Sequence, residues 1–440
     1  MNNPPLYKFQ SHDINHIWWK MLNGRGIFDY EVGTGKTFLG AHIVERKPEW
    51  KILIIAPAGL LSDWRNNLLG RDIPSTTILT RKTKRPQESR VTLCAPDRLA
   101  KIRQKYDLII TDECHRFKSS TSTRGKLWRI LNRESKHILM MSGTLSNNRD
   151  PMEYLNYLWA INSEEIINTL PPNITQWKNN YCNSKQLPNM MVPLYFTTPH
   201  GAKLISGLMD KHTCTRELRK ELDIPPFIEK TIKVDSEVSM KSIIKRYEKE
   251  LGIEIDEKYE KPHLTHTLMM ASGIDYDTGL MANTIKFEAI YEIIESSNKP
   301  VIVWIYWKVF GVELQKYLEK KKIKADLING DTKNKQELVD KFKAGSKVLI
   351  ASLGTIAEGH NLQHCSREIV ANIYYDIIKS KQGRGRIERA GQKERMYSTT
   401  IIGKDSMEVE VLKVLKQKKS LAASRNYLEG ILQKRYWRKG

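Results

Sequence analysis

Two α/β units built on parallel sheets, with helical insertions between them, are what this 440-residue sequence predicts. Three observations carry that reading. Short, β-branched, nearly continuous apolar runs gather in two zones, and longer amphipathic stretches separate one run from the next, as crossover helices separate buried parallel strands. The span between the zones loses the strand pattern. The length suits two or three domains with well-buried cores.

The first zone contains GIFDY (Gly26 to Tyr30), KILIIAP (Lys51 to Pro57), YDLIITDE (Tyr106 to Glu113) and KHILMMSGT (Lys136 to Thr144). From Asn162 to about Ile285 the chain reads as helices and loops, punctuated at Pro171-Pro172 and Pro225-Pro226. The second zone contains KPVIVWIYW (Lys299 to Trp307), KADLING (Lys324 to Gly330), KVLIASLGT (Lys347 to Thr355), REIVANIYY (Arg367 to Tyr375) and MYSTTII (Met396 to Ile402). After Ser406 the pattern is helical and basic, either a DNA-touching helix or a solvated brace.

Seventy-two Lys and Arg against fifty Asp and Glu leave a formal net charge of +22, so a polyanion is the default partner. The five cysteines are odd in number and show no C-x-x-C spacing, which suggests neither a disulfide framework nor a structural metal. The opening MNNPPLYKFQ lacks an apolar signal core, and the apolar runs are too short to span a bilayer. A cytoplasmic chain is expected, nuclear if eukaryotic, with no membrane partner.

GIFDY leads through EVGTGKT (Glu31 to Thr37) into a stretch with helical spacing, giving strand, glycine loop and helix. Such a loop closes backbone N–H groups around phosphates; Lys36 can reach the β and γ phosphates and Thr37 can bind Mg²⁺. A strict phosphate loop has glycine where Tyr30 stands. YDLIITDECH ends a strand on Asp112 and Glu113, at the sheet edge where α/β folds hold ligands. Asp112 suits a metal shell; Glu113 suits orienting and deprotonating a water. His115 reads as a surface residue.

Taken in order over nearly the whole chain, the blocks resemble the superfamily 2 helicases, and within them the Swi/Snf-type ATPases. LYKFQ (Leu6 to Gln10) looks like the adenine-reading glutamine motif, and EVGTGKT and DECH are similar to motifs I and II. IAPAGLLSDW (Ile55 to Trp64) resembles the signature of the Swi/Snf branch, and SGTLSNN (Ser142 to Asn148) its coupling motif. INGDT resembles motif IVa, ASLGTIAEGHNL (Ala351 to Leu362) motif V, and QGRGRIERAGQ (Gln382 to Gln392) motif VI. Glu388 stands where motif VI usually has histidine.

The resemblance implies two RecA-like domains. Residues 1–161 would be the ATP-binding domain with motifs Q to III, and 162–285 the helical insertions and interdomain linker. Residues 286–405 would be the second domain with motifs IV to VI, and 406–440 a basic helical tail. It implies a small, bacterial- or phage-type, monomeric enzyme that hydrolyses ATP with Mg²⁺ to move along duplex or branched DNA, remodelling forks, junctions or bound proteins.

By the same resemblance Lys36, Glu113, Arg386 and Arg389 are catalytic, the two arginines crossing from the second domain to the γ-phosphate. Gln10, Gly33, Thr34, Gly35, Lys36, Thr37 and Gln382 bind the nucleotide, Thr37 and Asp112 the Mg²⁺. Ser142 and Thr144 couple nucleotide state to DNA grip, and Pro57, Arg98, Lys308, Gly359 and Asn361 touch DNA. Arg384 reads as a solvated or phosphate-gripping side chain and Gln392 as support for the interdomain surface. Trp18, Trp19, Trp64, Trp304 and Trp307 are either core or base-stacking. Two other readings stay open: an RNA helicase, against which PAGLLSDW argues, and a nucleotide-dependent DNA-binding module without turnover.

Overall fold

A computed structural model describes residues 5–73, 76–79, 89–143, 145, 151–186, 193–235, 264–275, 278–356, 361–374, 380, 383–404, 406–416 and 428. The chain divides into two compact units, Met1–Asp223 and Ile224–Gly440. Each is an α/β domain of RecA-like type around a parallel sheet.

The first unit holds β1 (Arg25–Tyr30), β2 (Ile52–Ile55), β3 (Thr76–Leu79), β4 (Val91–Cys94), β5 (Leu108–Asp112) and β6 (His137–Ser142). It also holds the hairpin β7 (Cys182–Lys185) and β8 (Leu194–Thr197), and β9 (Thr213–Arg216). Its main sheet is parallel, in the order β3-β4-β2-β5-β6-β1-β9. Helices cover both faces, so the inner strands bury both of theirs and read as unbroken apolar runs. Leu53 and Ile55 enter one core cluster while Ile52 and Ile54 enter the other.

Register places the functional ends together. β1 pairs Asp29 with Ser142 of β6, and β5 pairs Asp112 with Met141, so the carboxyl ends of all three strands share one sheet edge. The phosphate loop leaves β1 at that edge.

The second unit contains β10 (Phe227–Val234), β11 (Val301–Ile305), β12 (Ala325–Ile328), β13 (Val348–Ser352), β14 (Arg367–Val370) and β15 (Met396–Gly403). They form one parallel sheet ordered β10-β15-β14-β11-β13-β12. A buried ion pair braces it. Lys286 Nζ donates to Glu408 at 2.6 and 2.8 Å and to the carbonyls of Ala371 and Ile401, while Glu408 accepts from the Gly403 amide.

Strands differ from the sequence reading between residues 162 and 285, where β7, β8, β9 and β10 lie. β9 is TCTR, three of its four residues polar, at a sheet edge. β10, FIEKTIKV, interleaves charges with apolar residues, because an edge strand leaves much of its surface to solvent. β3 (TTIL) and β4 (VTLC) mix threonine with apolar residues and do not stand out as continuous apolar runs. Of the basic tail, the described part is the helix Met407–Lys416 and Leu428, which is buried in a cluster with Val411 and Val414.

Candidate functional site

The phosphate loop is built by glycines where no other residue fits well. Gly33 and Gly35 have φ of 93° and 82°, in the left-handed region. Gly35 caps the helix Lys36–Glu45 with no side-chain hydrogen bond. The first-turn N–H groups therefore lack a side-chain acceptor from their cap, which suits an anion. A Cβ on Gly143, after β6, would come within 3.0 Å of Val32, so glycine lets that strand end approach the loop.

Gln10 clamps the loop from below. It is fully buried, donates from Nε2 to the Thr34 carbonyl at 2.8 Å, and accepts the Tyr7 amide at 3.0 Å. Tyr30, standing where a strict loop has glycine, is the last residue of β1. Its ring stacks on Phe28 at 4.9 Å and its hydroxyl donates to Asp13. Asp13 in turn receives Arg216 of β9, at 2.8 and 2.5 Å. Burial pushes the Asp13 carboxyl up, yet the bonds from Arg216 and Tyr30 prevail and hold it below the ordinary value. Lys36 Nζ donates to the carbonyls of Tyr30 at 2.9 Å and Glu31 at 3.4 Å, at the mouth of the loop.

Asp112 faces this loop from the end of β5. Its Oδ2 lies 3.5 Å from Thr37 Oγ1 and accepts the Trp64 indole N–H at 3.0 Å. Burial, then the charge of Glu113, raises its carboxyl to about 6, against the pull of Lys36 and Trp64. Glu113 holds a left-handed backbone with φ of 52°, a strained conformation for a residue with a side chain, and such strain gathers at functional sites. Its Oε2 lies 3.2 Å from His115 Nδ1, which lies 3.1 Å from Ser142 Oγ at the end of β6. His115 is thus a link between two strand ends and not a surface histidine.

Trp64, one of the candidate base-stackers, is completely buried against Gly40 and spends its indole N–H on Asp112. Trp18 and Trp304 are buried too, bonded to the Ile138 carbonyl and Glu368. None of the three presents a free face. Trp64, His115, Asp13 and Arg216 are site residues that motif reading did not place. Trp64 and His115 carried a signal, as the last residues of PAGLLSDW and of DECH; Asp13 and Arg216 carried none.

Pro57 is buried at the end of β2, and Arg98, half-buried, pairs with Asp97 at 3.0 Å. In the second unit Lys308 is exposed and pairs with Asp331, and Asn361 accepts the Gln363 amide at 3.2 Å. Arg386 is buried and Arg389 half-buried. Arg384, about a third exposed, donates to Glu229 of β10 at 2.6 Å and lies over the Phe227 ring. Gln392 donates from its amide to the carbonyls of Gln363 at 2.9 Å and Cys365 at 3.1 Å within its own unit. Thr144, Gly359 and Gln382 lie outside the described residues.

Residues 3–147 match the family model described as type III restriction enzyme, res subunit, and residues 285–391 match the helicase conserved C-terminal domain. Across 90% of this chain and 75% of the relative, identity is 24% to an uncharacterized ATP-dependent helicase, YqhH, of Bacillus subtilis. With a helicase-type domain model matched in each half, the chain is similar to superfamily 2 helicases of the Swi/Snf-like branch. A SWI/SNF-related, matrix-associated, actin-dependent regulator of chromatin subfamily A-like protein 1 homolog of Caenorhabditis elegans is 22% identical over 94% of this chain and 61% of its own length. The human DNA annealing helicase and endonuclease ZRANB3 is 22% identical over 95% of this chain and 40% of its own. The chain therefore spans less than two thirds of the length of those two relatives. A Sulfolobus solfataricus SWI2/SNF2 ATPase core in complex with dsDNA aligns with 98% of this chain and 96% of its own at a TM-score of 0.40 and 15% identity.

Proposed function

We propose that this chain is a DNA-dependent ATPase, a motor that hydrolyses ATP to move along duplex or branched DNA and remodel forks, junctions or bound proteins. The observation that carries the reading is the sheet edge of the first unit. There the glycine loop, Lys36, the Thr37–Asp112 pair 3.5 Å apart, and Glu113 bridged through His115 to Ser142 converge. Helicase-named relatives that align with nearly all of this chain support the choice of nucleotide and of polymer.

Thr37 and Asp112 offer a hydroxyl and a carboxylate, hard oxygen donors that fit Mg²⁺. Bound there, Mg²⁺ would offset the charge of the phosphates. Lys36 would exchange the carbonyls of Tyr30 and Glu31 for phosphate oxygens. Glu113 would orient the attacking water and accept its proton, with His115 fixing the carboxylate. The same histidine would carry the state of the site to Ser142. Gln10 would hold the loop in shape for the nucleotide, joined by Gln382.

Arg386 and Arg389 of motif VI would add positive charge to the phosphoryl oxygens as it builds in the transition state, a contribution on the order of 10³ to 10⁵ in rate. Because they belong to the second unit, turnover would depend on that unit's engagement, and this dependence is what makes a motor. Arg98, Lys308, Gly359, Asn361 and the backbone around Pro57 would grip DNA phosphates without reading sequence, a salt-sensitive mode that suits the +22 charge.

The test compares ATP turnover of wild type and Glu113→Gln on blunt, forked and four-way DNA and on duplex RNA. We expect DNA to stimulate the wild type, and Glu113→Gln to bind DNA without turnover. RNA as the better activator would favour the RNA helicase reading. Absence of turnover with every DNA would favour a binding module.

A further inference from the structure

At the opposite edge of the first unit's sheet, where the parallel strands begin, aromatic rings and cations gather around a small cavity that the site above does not use. Trp19 precedes β1, Trp50 precedes β2, and His137 opens β6. The strands are about 20 Å long at roughly 3.3 Å per residue, so this cluster and the phosphate loop lie at opposite poles. Ligands of such sheets ordinarily sit at the carboxyl edge, which leaves the amino edge without an assigned task.

The cluster is a stack with one open member. His137 lies flat on Trp50, ring centres 4.6 Å apart and planes 10° apart, and Trp19 leans on both, at 5.1 Å from His137 and 5.9 Å from Trp50. Trp19 nevertheless keeps 40% of its surface exposed, an unusual expense for so large a ring. Lys47 Nζ stands 4.7 Å from the Trp19 ring centre and 4.8 Å from that of Trp50. Ile14, Trp18 and Ile43 form the cavity's apolar floor, and Trp19, Arg46 and Lys47 its rim.

We propose that this cavity binds an unpaired nucleobase of single-stranded DNA, the base stacking on Trp19 while Arg46 and Lys47 take the flanking phosphates. This rests on the DNA reading given above and adds a second, single-strand contact to it. Each part of the ligand has its counterpart: the base is a flat apolar π-face, matched by indole and apolar floor, and its neighbours are anions, matched by two cations. Lys20 adds a further, exposed cation on the same helical stretch as Trp19. Of the acids close by, Glu45 is engaged by Arg71 and Asp107 by Lys136, and Glu49 is exposed. A cationic partner would meet Arg46 and Lys47. An acidic peptide with an aromatic residue is the chief competitor.

The experiment uses the full chain and measures binding of a fluorescent oligo-dT and a blunt duplex, with duplex-stimulated ATP turnover alongside. Trp19→Ala is expected to weaken oligo-dT binding by about five- to a hundredfold, the range for one base stacked on an aromatic ring. Trp19→Phe should restore most of it. Arg46→Glu, at an exposed position, should weaken it and lower its salt dependence, with duplex-stimulated turnover unchanged in all three. Oligo-dT binding unaffected in Trp19→Ala and Arg46→Glu, with wild-type turnover intact, would overturn the inference and leave the motor reading standing. Displacement of oligo-dT by nothing but duplex, while an acidic aromatic peptide binds at Trp19, would also overturn it. Loss of DNA binding by the wild type itself would overturn both.

Discussion

Replacing Trp64 by phenylalanine should move the pH dependence of ATP turnover. The indole N–H donates to Asp112 Oδ2 at 3.0 Å, and both residues are buried, so solvent offers the carboxylate no substitute. A hydrogen bond to a charged group contributes about 1.5–3 kcal/mol, and one pH unit corresponds to about 1.4 kcal/mol. Losing it should raise the Asp112 carboxyl by about one to two units. In the wild type burial and Glu113 already place it at about 6. The sign follows from the role proposed for Asp112: the protonated acid cannot serve a metal, so turnover is present above its pKa and falls as the pH drops through it.

The acid limb should therefore lie about one to two pH units higher in Trp64→Phe than in the wild type. On the acid side the variant should turn over several-fold more slowly, and at alkaline pH the two rates should converge. The assay is the pH–rate profile of DNA-stimulated ATP hydrolysis, with thermal melting beside it to separate lost packing against Gly40. An acid limb that stays in place, with melting alone lowered, would refute the reasoning and leave Trp64 a packing residue.

Gln10→Ala should loosen the phosphate loop, since the Thr34 carbonyl loses a buried donor; a cost of about 1–3 kcal/mol predicts nucleotide binding weaker by roughly five- to a hundredfold, read by titration with a fluorescent ATP analogue. Lys286→Met should destabilise the second unit by about 3–5 kcal/mol, because Glu408 is left buried without its partner. Denaturant unfolding of Lys286→Met and of the double variant with Glu408→Leu checks this, the double variant recovering most of the loss.

Much of this molecule was legible because buried parallel strands and glycine loops leave short-range signatures. GIFDY, KILIIAP, YDLIITDE and KPVIVWIYW all became strands because both faces of each are covered. What stayed hidden depends on long-range pairing. TCTR forms β9 only because β1 offers it an edge, and Arg216 reaches Asp13, 203 residues away, only once that edge is built. The site divides in the same way. Lys36, Thr37, Asp112 and Glu113 sit in motifs readable at fixed spacing. The Trp64–Asp112 bond and the Glu113–His115–Ser142 chain arise from register between strands that no local pattern reports.

The central claim is that chemistry at the first unit's phosphate loop needs the motif VI guanidinium groups of the second. The direct measurement is ATP turnover of Arg389→Ala at saturating duplex DNA, with nucleotide affinity determined on the same preparation. The account predicts turnover lower by on the order of 10³-fold or more with affinity nearly unchanged. Hydrolysis at the wild-type rate would contradict it.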